Sequence, residues 1–175
     1  LLPAASVIQE REKQTLTAVL ITPLSVIEFF AAKGVVGFIV AFLLGTGTLL
    51  LNIGFVPATL PLLIVLALAA FMCATLGLLL GAAVSDMTTM FSVWKGAGIV
   101  LFAPAILLLF PSIPEWIGMF FPTYYFVRPL YEVSVLGATL SESWMEIGIG
   151  FVVSVAFALG VGRLALTMER KLAIA

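Results

Sequence analysis

The residue types that carry most enzyme chemistry are scarce in this chain of 175 residues. It contains no histidine, so it has no imidazole base and no Ser-His-Asp triad. Its single cysteine, Cys73, lies in an apolar run and offers neither an internal disulfide nor a thiolate metal site. The sequence has no Gly-Lys pair, so the phosphate-binding loop of nucleotide hydrolases is missing. Asp86, Lys95 and Glu146 lie too far apart in the sequence to form an evident catalytic pair. We therefore predict no catalytic residue, no metal and no cofactor bound by this chain.

The composition is typical of a membrane protein. Hydrophobic residues make up 63% of the chain and charged residues 10%, against about 45–50% and about 25% in an ordinary soluble domain. The mean hydropathy is +1.27. Uncharged runs of 52 residues after Lys33 and of 19 residues after Lys95 stand out. A net charge of −1 excludes an electrostatic nucleic-acid binder, which needs a basic face. We predict an all-α, polytopic membrane helix bundle.

Four transmembrane helices are expected, because about 20 apolar residues cross the hydrocarbon core. The predicted spans are residues 34–55, 60–84, 94–110 and 144–166. The third carries Pro104 and is expected to kink there. The apolar residues 1–8 are typical of the tail of a preceding span, so we expect the chain to be the C-terminal portion of a longer protein.

The distribution of basic residues predicts the orientation in the membrane. Four spans place the N-terminal segment, residues 85–93 and the C-terminus on one side. That side holds seven of the eight basic residues, and the other side holds only Arg128. By the positive-inside rule the N-terminal segment and the C-terminus are cytoplasmic, and the protein lies in the cell membrane.

Small residues recur at helical spacing in the first two spans. Such stripes let helix backbones approach closely in lipid. Packing within one bundle is the favoured interpretation, and a seam between two copies is the alternative. The residues predicted to pack are Gly34, Gly37, Gly45, Gly77 and Gly81.

A cytoplasmic helical segment, here called the elbow, is predicted over residues 9–24. A charged tetrad is followed by apolar residues at i, i+3 and i+4, and Pro23 ends the helix. Ser25 and Glu28 have the spacing of a capping box, so a second helix should begin near Val26 and continue into the first span. Two interpretations are open: a helix lying in the lipid head groups, or a docking site for a cytoplasmic partner.

The other segment outside the spans covers residues 111–143, on the outer side. We expect two short amphipathic helices that lie on the membrane or dip back between the spans. Ser112 with Glu115 and Ser143 with Glu146 have capping-box spacing, and Gly137 should end the second helix. The aromatic and proline residues singled out in this outer segment are Trp116, Pro122, Tyr124 and Tyr125.

The elbow resembles a motif of the permease subunits of ABC-2 type exporters. It reads Glu-Arg-Glu-Lys-Gln-Thr-Leu from Glu10, then Leu-Ile-Thr-Pro-Leu-Ser-Val-Ile-Glu up to Glu28, with Lys33-Gly34 leading a span. Gln14 stands where the family often has glycine. The outer stretch with Pro114-Glu-Trp-Ile, Phe121-Pro-Thr-Tyr-Tyr and Leu136-Gly137 is similar to the re-entrant segment before the last span of that family. The resemblance covers nearly all of residues 1–175.

This resemblance implies that the chain itself catalyses no reaction and that ATP is hydrolysed by a separate subunit. The elbow would be the coupling helix, seated in a groove of a separate ATP-binding subunit that holds ATP and magnesium. Two permease copies or paralogues would pair around a central path. The coupling residues implied are Glu10, Arg11, Glu12, Lys13, Thr15, Leu16 and Glu28. Reversing the charges of Glu12 and Lys13 is expected to uncouple ATP hydrolysis from export.

The substrate is expected to be amphipathic or lipid-like, because no predicted span carries an ionisable residue deep inside it. That absence also disfavours an ion-coupled secondary transporter. The alternatives are a haem-exporter type permease of cytochrome c maturation and a non-transporting membrane scaffold. A tightly bound ATPase subunit would separate a permease from a scaffold.

Overall fold

The structure is a computed structural model that describes residues 2–13, 25–55, 58–110 and 112–172. Within these residues every regular element is a helix, which confirms the predicted fold class. The elements are α1 (Leu2–Glu12), α2 (Val26–Ile53), α3 (Thr59–Ala83), α4 (Met87–Leu109), a 3-10 helix (Glu115–Phe120), α5 (Tyr124–Val135) and α6 (Trp144–Leu172).

Four of these helices are long and apolar enough to cross a membrane, namely α2, α3, α4 and the Trp144–Thr167 part of α6. The predicted number of spans is therefore confirmed. Helix α3 is the central one and packs against α1, α2, α5 and α6. Most large apolar side chains on the other spans point outward, as expected of helices whose solvent is lipid rather than water.

One span begins earlier than its apolar run predicted. Helix α2 starts at Val26, as the capping box predicts, and carries Lys33, whereas α4 starts at Met87 and not near residue 94. The physical reason is that a cap, not the edge of an apolar run, sets where a helix begins. The third span accordingly has 23 residues with Pro104 in its interior.

The capping box that opens α2 is confirmed. The Ser25 hydroxyl accepts from the Glu28 amide over 3.2 Å, and the Ser25 amide donates to the Glu28 carboxylate over 2.8 Å. At the other end Gly54 follows α2 with a φ of +66°, a left-handed conformation that glycine adopts without strain.

The N-terminal apolar residues and the acidic residues after them form one helix. Helix α1 runs from Leu2 to Glu12, and Lys13 lies in the turn that follows. The charged tetrad thus closes α1, whereas the sequence suggested that it opens the elbow. The remainder of the elbow, residues 14–24, lies outside the described residues.

The outer segment contains the two short helices expected, with a difference in the first. The predicted capping box of Ser112 and Glu115 is wrong: Pro114 precedes a single six-residue 3-10 helix, without a side-chain cap. Gly137 follows α5 with a φ of +69°, as predicted for the residue that ends it. Helix α6 begins at Trp144, where the sequence placed the last span.

Candidate functional site

Helix α1 lies in a notch lined by glycines of α2 and α3. A Cβ added to Gly81 would stand 2.8 Å from Cα of Ala4, and one on Gly77 would stand 3.4 Å from Cγ of Pro3. On α2, a Cβ at Gly37 would overlap the ring of Pro3. A backbone contact as close as that of Gly81 requires a residue without a side chain, whereas a Cβ on Gly77 would make an ordinary contact. Helix α1 therefore packs closely between these two spans.

The other two predicted packing glycines lie between α2 and α3. A Cβ on Gly34 would stand 3.0 Å from Leu78, and one on Gly45 would stand 2.9 Å from Leu66. All five glycines therefore face helices of their own chain in the described structure. This geometry corresponds to packing within one bundle.

The C-terminal end of α1 is joined to α2 by an ion pair. The Glu10 carboxylate lies 2.5 Å from Nζ of Lys33, with both side chains about a quarter exposed. The same ammonium lies 5.4 Å from the ring centroid of Phe29, within reach of a cation–π contact. Reversing the charge of either Glu10 or Lys33 would leave two like charges next to each other at a site that is partly shielded from water.

Glu12 joins the same end of α1 to α4. Its Oε1 accepts from the Met87 amide over 3.2 Å. Beside it, Asp86 caps α4: Oδ1 accepts from the Thr89 amide over 2.8 Å and Oδ2 from the Thr89 hydroxyl over 2.7 Å. These hydrogen bonds from the Thr89 amide and hydroxyl lower the pKa of the Asp86 carboxyl below its ordinary value.

The predicted coupling residues thus have different places. Glu10 and Glu12 turn toward other helices of the chain, and Glu28 caps α2. Lys13 is exposed in the turn after α1, and Arg11 lies on α1 itself. Thr15 and Leu16 lie outside the described residues. We call the set of contacts made by Glu10, Glu12, Lys33 and Met87 the α1 junction.

A second polar cluster, which we call the outer cluster, surrounds Arg128 on α5. Nε of Arg128 donates to Oε1 of Glu132 over 2.8 Å, and its Nη1 contacts both the Glu115 carboxylate and the Tyr124 hydroxyl. The Tyr124 hydroxyl donates to Glu115 over 3.0 Å, and the Ser143 hydroxyl donates to Glu132 over 2.5 Å. The cluster therefore connects the 3-10 helix, α5 and the residue just before α6.

The electrostatics of the outer cluster favour its ionised form. Burial alone would raise the pKa of Glu132, but hydrogen bonds from Ser143 and Arg128 and the positive charge of Arg128 together lower it. Burial opposes the charge of Arg128, yet its hydrogen bonds to Glu132 and Tyr124 and the nearby carboxylate raise its pKa. The two groups remain charged at neutral pH.

The sequence predicts a role for Arg128 only as a marker of orientation and not as part of a site. The spacing of Arg128 and Glu132, four apart on a helix, is a signal that was available. Glu115 lies on a separate element and carried no such signal.

The predicted aromatic residues of the outer segment divide between its inner and outer faces. Tyr124 is 2% exposed and packs against Gly118, where a Cβ would stand 2.6 Å from the ring. Tyr125 donates to the Met119 carbonyl over 2.9 Å, and Pro122 lies in the turn before α5. Trp116 is 60% exposed and meets Phe120 edge-on.

An apolar groove of about 450 Å³ lies between α2, α3 and α6. Three rings, those of Phe30, Phe38 and Phe71, are part of its wall. The Thr75 hydroxyl also faces it but already donates to the carbonyls of Phe71 and Met72. A groove with this lining suits hydrocarbon or aromatic groups and offers them no charge.

Comparison with known proteins supplies a family. A family model described as fluoroquinolones export permease protein Rv2686c-like matches residues 2–161. No curated protein and no solved structure matches the chain.

Proposed function

Because this chain belongs to the Rv2686c-like family of fluoroquinolone export permeases, an ABC-2 type family, we propose that it is the membrane subunit of an ATP-driven exporter. The energy would come from a separate ATP-binding subunit that holds ATP and magnesium, with no cofactor on this chain. The observation that carries the proposal is the family match itself, which covers residues 2–161, from the start of α1 to a point within α6.

The place of the α1 junction supports this division of roles between the two proteins. Helix α1 ends at Glu12, which already belongs to the elbow. A subunit that binds the elbow would therefore act on a helix held between two spans, and a rigid-body displacement could pass into the bundle. In this arrangement the N-terminal segment and the C-terminus are cytoplasmic, and the protein lies in the cell membrane.

The proposed substrate is an amphipathic molecule with an aromatic ring system, of the fluoroquinolone class named for the family. The apolar groove supports this choice, because its volume of about 450 Å³ falls in the range of pockets that accept drug-sized molecules. Of its three phenylalanine rings, those of Phe38 and Phe71 are partly exposed and can contact a planar ring system.

We further propose that two permease chains, identical or paralogous, assemble with the ATP-binding subunits. Helix α4 supports this, because its apolar side chains Ile99 and Phe102 are 74% and 67% exposed on the single chain. Lipid or a second permease would cover that face.

The proposal is tested by reconstituting the intact protein with its ATP-binding subunit in inside-out vesicles. ATP-dependent uptake of a fluoroquinolone, followed by its own fluorescence, is the expected result. An ATP-binding subunit with its phosphate-binding lysine replaced serves as the control and should abolish uptake. Stable complex formation and hydrolysis without uptake would reject the substrate class, and failure of the two proteins to associate would reject the ABC assignment.

A further inference from the structure

The first turn of α4 receives acidic side chains from two distant parts of the sequence. A helix N-terminus has amide groups without partners inside the helix and carries partial positive charge. Asp86 satisfies the Thr89 amide, whereas the Met87 amide donates to Glu12, which is 75 residues away. Glu12 is thus a long-range cap that belongs to another helix.

The face of α1 that carries Glu12 also packs against α4 one turn closer to the N-terminus of α1. Ile8, one turn earlier on α1, is buried in an apolar cluster with Val84 and Met90. The Met87 side chain packs against the same cluster. The Glu12 hydrogen bond therefore lies at the end of an apolar contact between two helices, and it fixes that contact in one register.

Helix α4 makes a second hydrogen bond to another element, in its C-terminal half. The Thr123 hydroxyl, just before α5, donates to the Leu101 carbonyl of α4 over 2.8 Å. A displacement imposed on the first turn of α4 could thus reach the outer segment through one helix. The elbow joins this pathway at Glu12, since Glu12 belongs to the elbow and also ends α1.

We infer that Glu12 is a positioning residue that ties the first turn of α4 to the end of α1, so that movement of the elbow moves α4. The inference rests on the proposed function, because it requires an ATP-driven movement of the elbow. It differs from a docking role, in which the Glu12 carboxylate would contact the ATP-binding subunit directly.

The test measures export per ATP hydrolysed in the reconstituted complex of the intact protein. Glu12→Ala removes the acceptor and is expected to lower this ratio by about fivefold, the scale of one hydrogen bond. Glu12→Gln loses the charge but keeps an oxygen acceptor, so it should retain most of the wild-type ratio. Association with the ATP-binding subunit should be unchanged in both variants.

A reciprocal variant removes the donor. Proline is favoured at the first position of a helix, and it requires an extended preceding residue; Asp86 has φ −144° and ψ 162°. Met87→Pro therefore removes the amide N–H with little cost to α4, and Met87→Ala measures the loss of the side chain alone. Relative to Met87→Ala, Met87→Pro should lower the ratio as much as Glu12→Ala does. The double variant Glu12→Ala/Met87→Pro should show no further loss.

Three results would overturn the inference: an unchanged ratio in Glu12→Ala and Met87→Pro, an equal loss in Glu12→Gln, or weakened subunit association in place of a lower ratio. If Glu12→Ala does not fold, Met87→Pro against Met87→Ala decides the question. A wild-type complex that neither hydrolyses ATP nor exports would instead reject the proposed function, and the inference with it.

Discussion

Arg128 and Glu132 lie one turn apart on α5, and Nε of Arg128 donates to Oε1 of Glu132 over 2.8 Å. Each side chain is about one fifth exposed, so the pair is screened by water less than a surface ion pair. Because Arg128 also contacts Glu115, it neutralises charge on two elements at once. One guanidinium group therefore joins the 3-10 helix to α5.

Replacing that guanidinium should loosen the outer segment. Arg128→Gln leaves two carboxylates without their cation, and we expect the free energy of unfolding to fall by about 1–3 kcal/mol. Thermal unfolding in detergent measures the loss, and hydrogen exchange should show faster opening of residues 112–136. Glu142→Gln, an exposed charge removal nearby, is the matched control and should change neither. Equal effects of the two substitutions would contradict a special role for Arg128.

The outer cluster should also make stability depend on acid. The lowered pKa of Glu132 means that its ionised form stabilises the folded state above the pKa of the unfolded chain, about 4.3. That contribution is lost as the pH falls through the lower pKa of the folded state. The wild-type chain should therefore exceed Glu132→Gln in unfolding temperature at pH 7, and the difference should shrink as the pH is lowered through the acid range. A difference in unfolding temperature that does not change with pH would show that the charge of Glu132 does not contribute to stability.

The number and type of the spans could be predicted because the bilayer sets their length. Their starts could not be predicted in the same way. The helix that contains Lys95 begins at Met87, where the side chain of Asp86 caps it, although the apolar run begins later. For Ser25 and Glu28 the cap itself had a recognisable spacing, and there the sequence was sufficient.

The polar contacts between distant elements could not be predicted. The partner of Glu12 is a backbone amide, which has no side-chain signature in a sequence. Glu115 meets Arg128 only because the 3-10 helix folds back on α5. Both contacts depend on tertiary packing, and local spacing carries no information about that.

Close packing of α1 predicts an asymmetry between glycines. A Cβ on Gly81 would meet the backbone of Ala4 at 2.8 Å, and backbone cannot rotate away. Gly81→Ala should therefore cost about 1–3 kcal/mol of stability through overpacking. Gly47→Ala, in open space on α2, is the control and should preserve or raise stability, because alanine is the better helix former. Unfolding curves of the two variants in the same detergent decide the matter, and equal curves would mean that α1 does not occupy the notch.

The ion pair between Glu10 and Lys33 predicts rescue by charge exchange. Lys33→Glu brings two carboxylates together at a site where both side chains are only about a quarter exposed. We expect this substitution to lower the free energy of unfolding by about 1–2 kcal/mol. Glu10→Lys/Lys33→Glu restores an attractive pair but loses the contact of Lys33 with the Phe29 ring, so it should recover only part of that loss. Lys95→Glu reverses an exposed charge on α4 and is the control for charge alone; adding Glu10→Lys to it should bring no recovery.

Because Glu10 and Glu12 lie on the same end of α1, loss of the ion pair between Glu10 and Lys33 should also lower export per ATP hydrolysed, in proportion to the loss of stability. A full recovery of stability in the exchanged pair with no recovery of that ratio would show that α2 is not part of the route from the elbow.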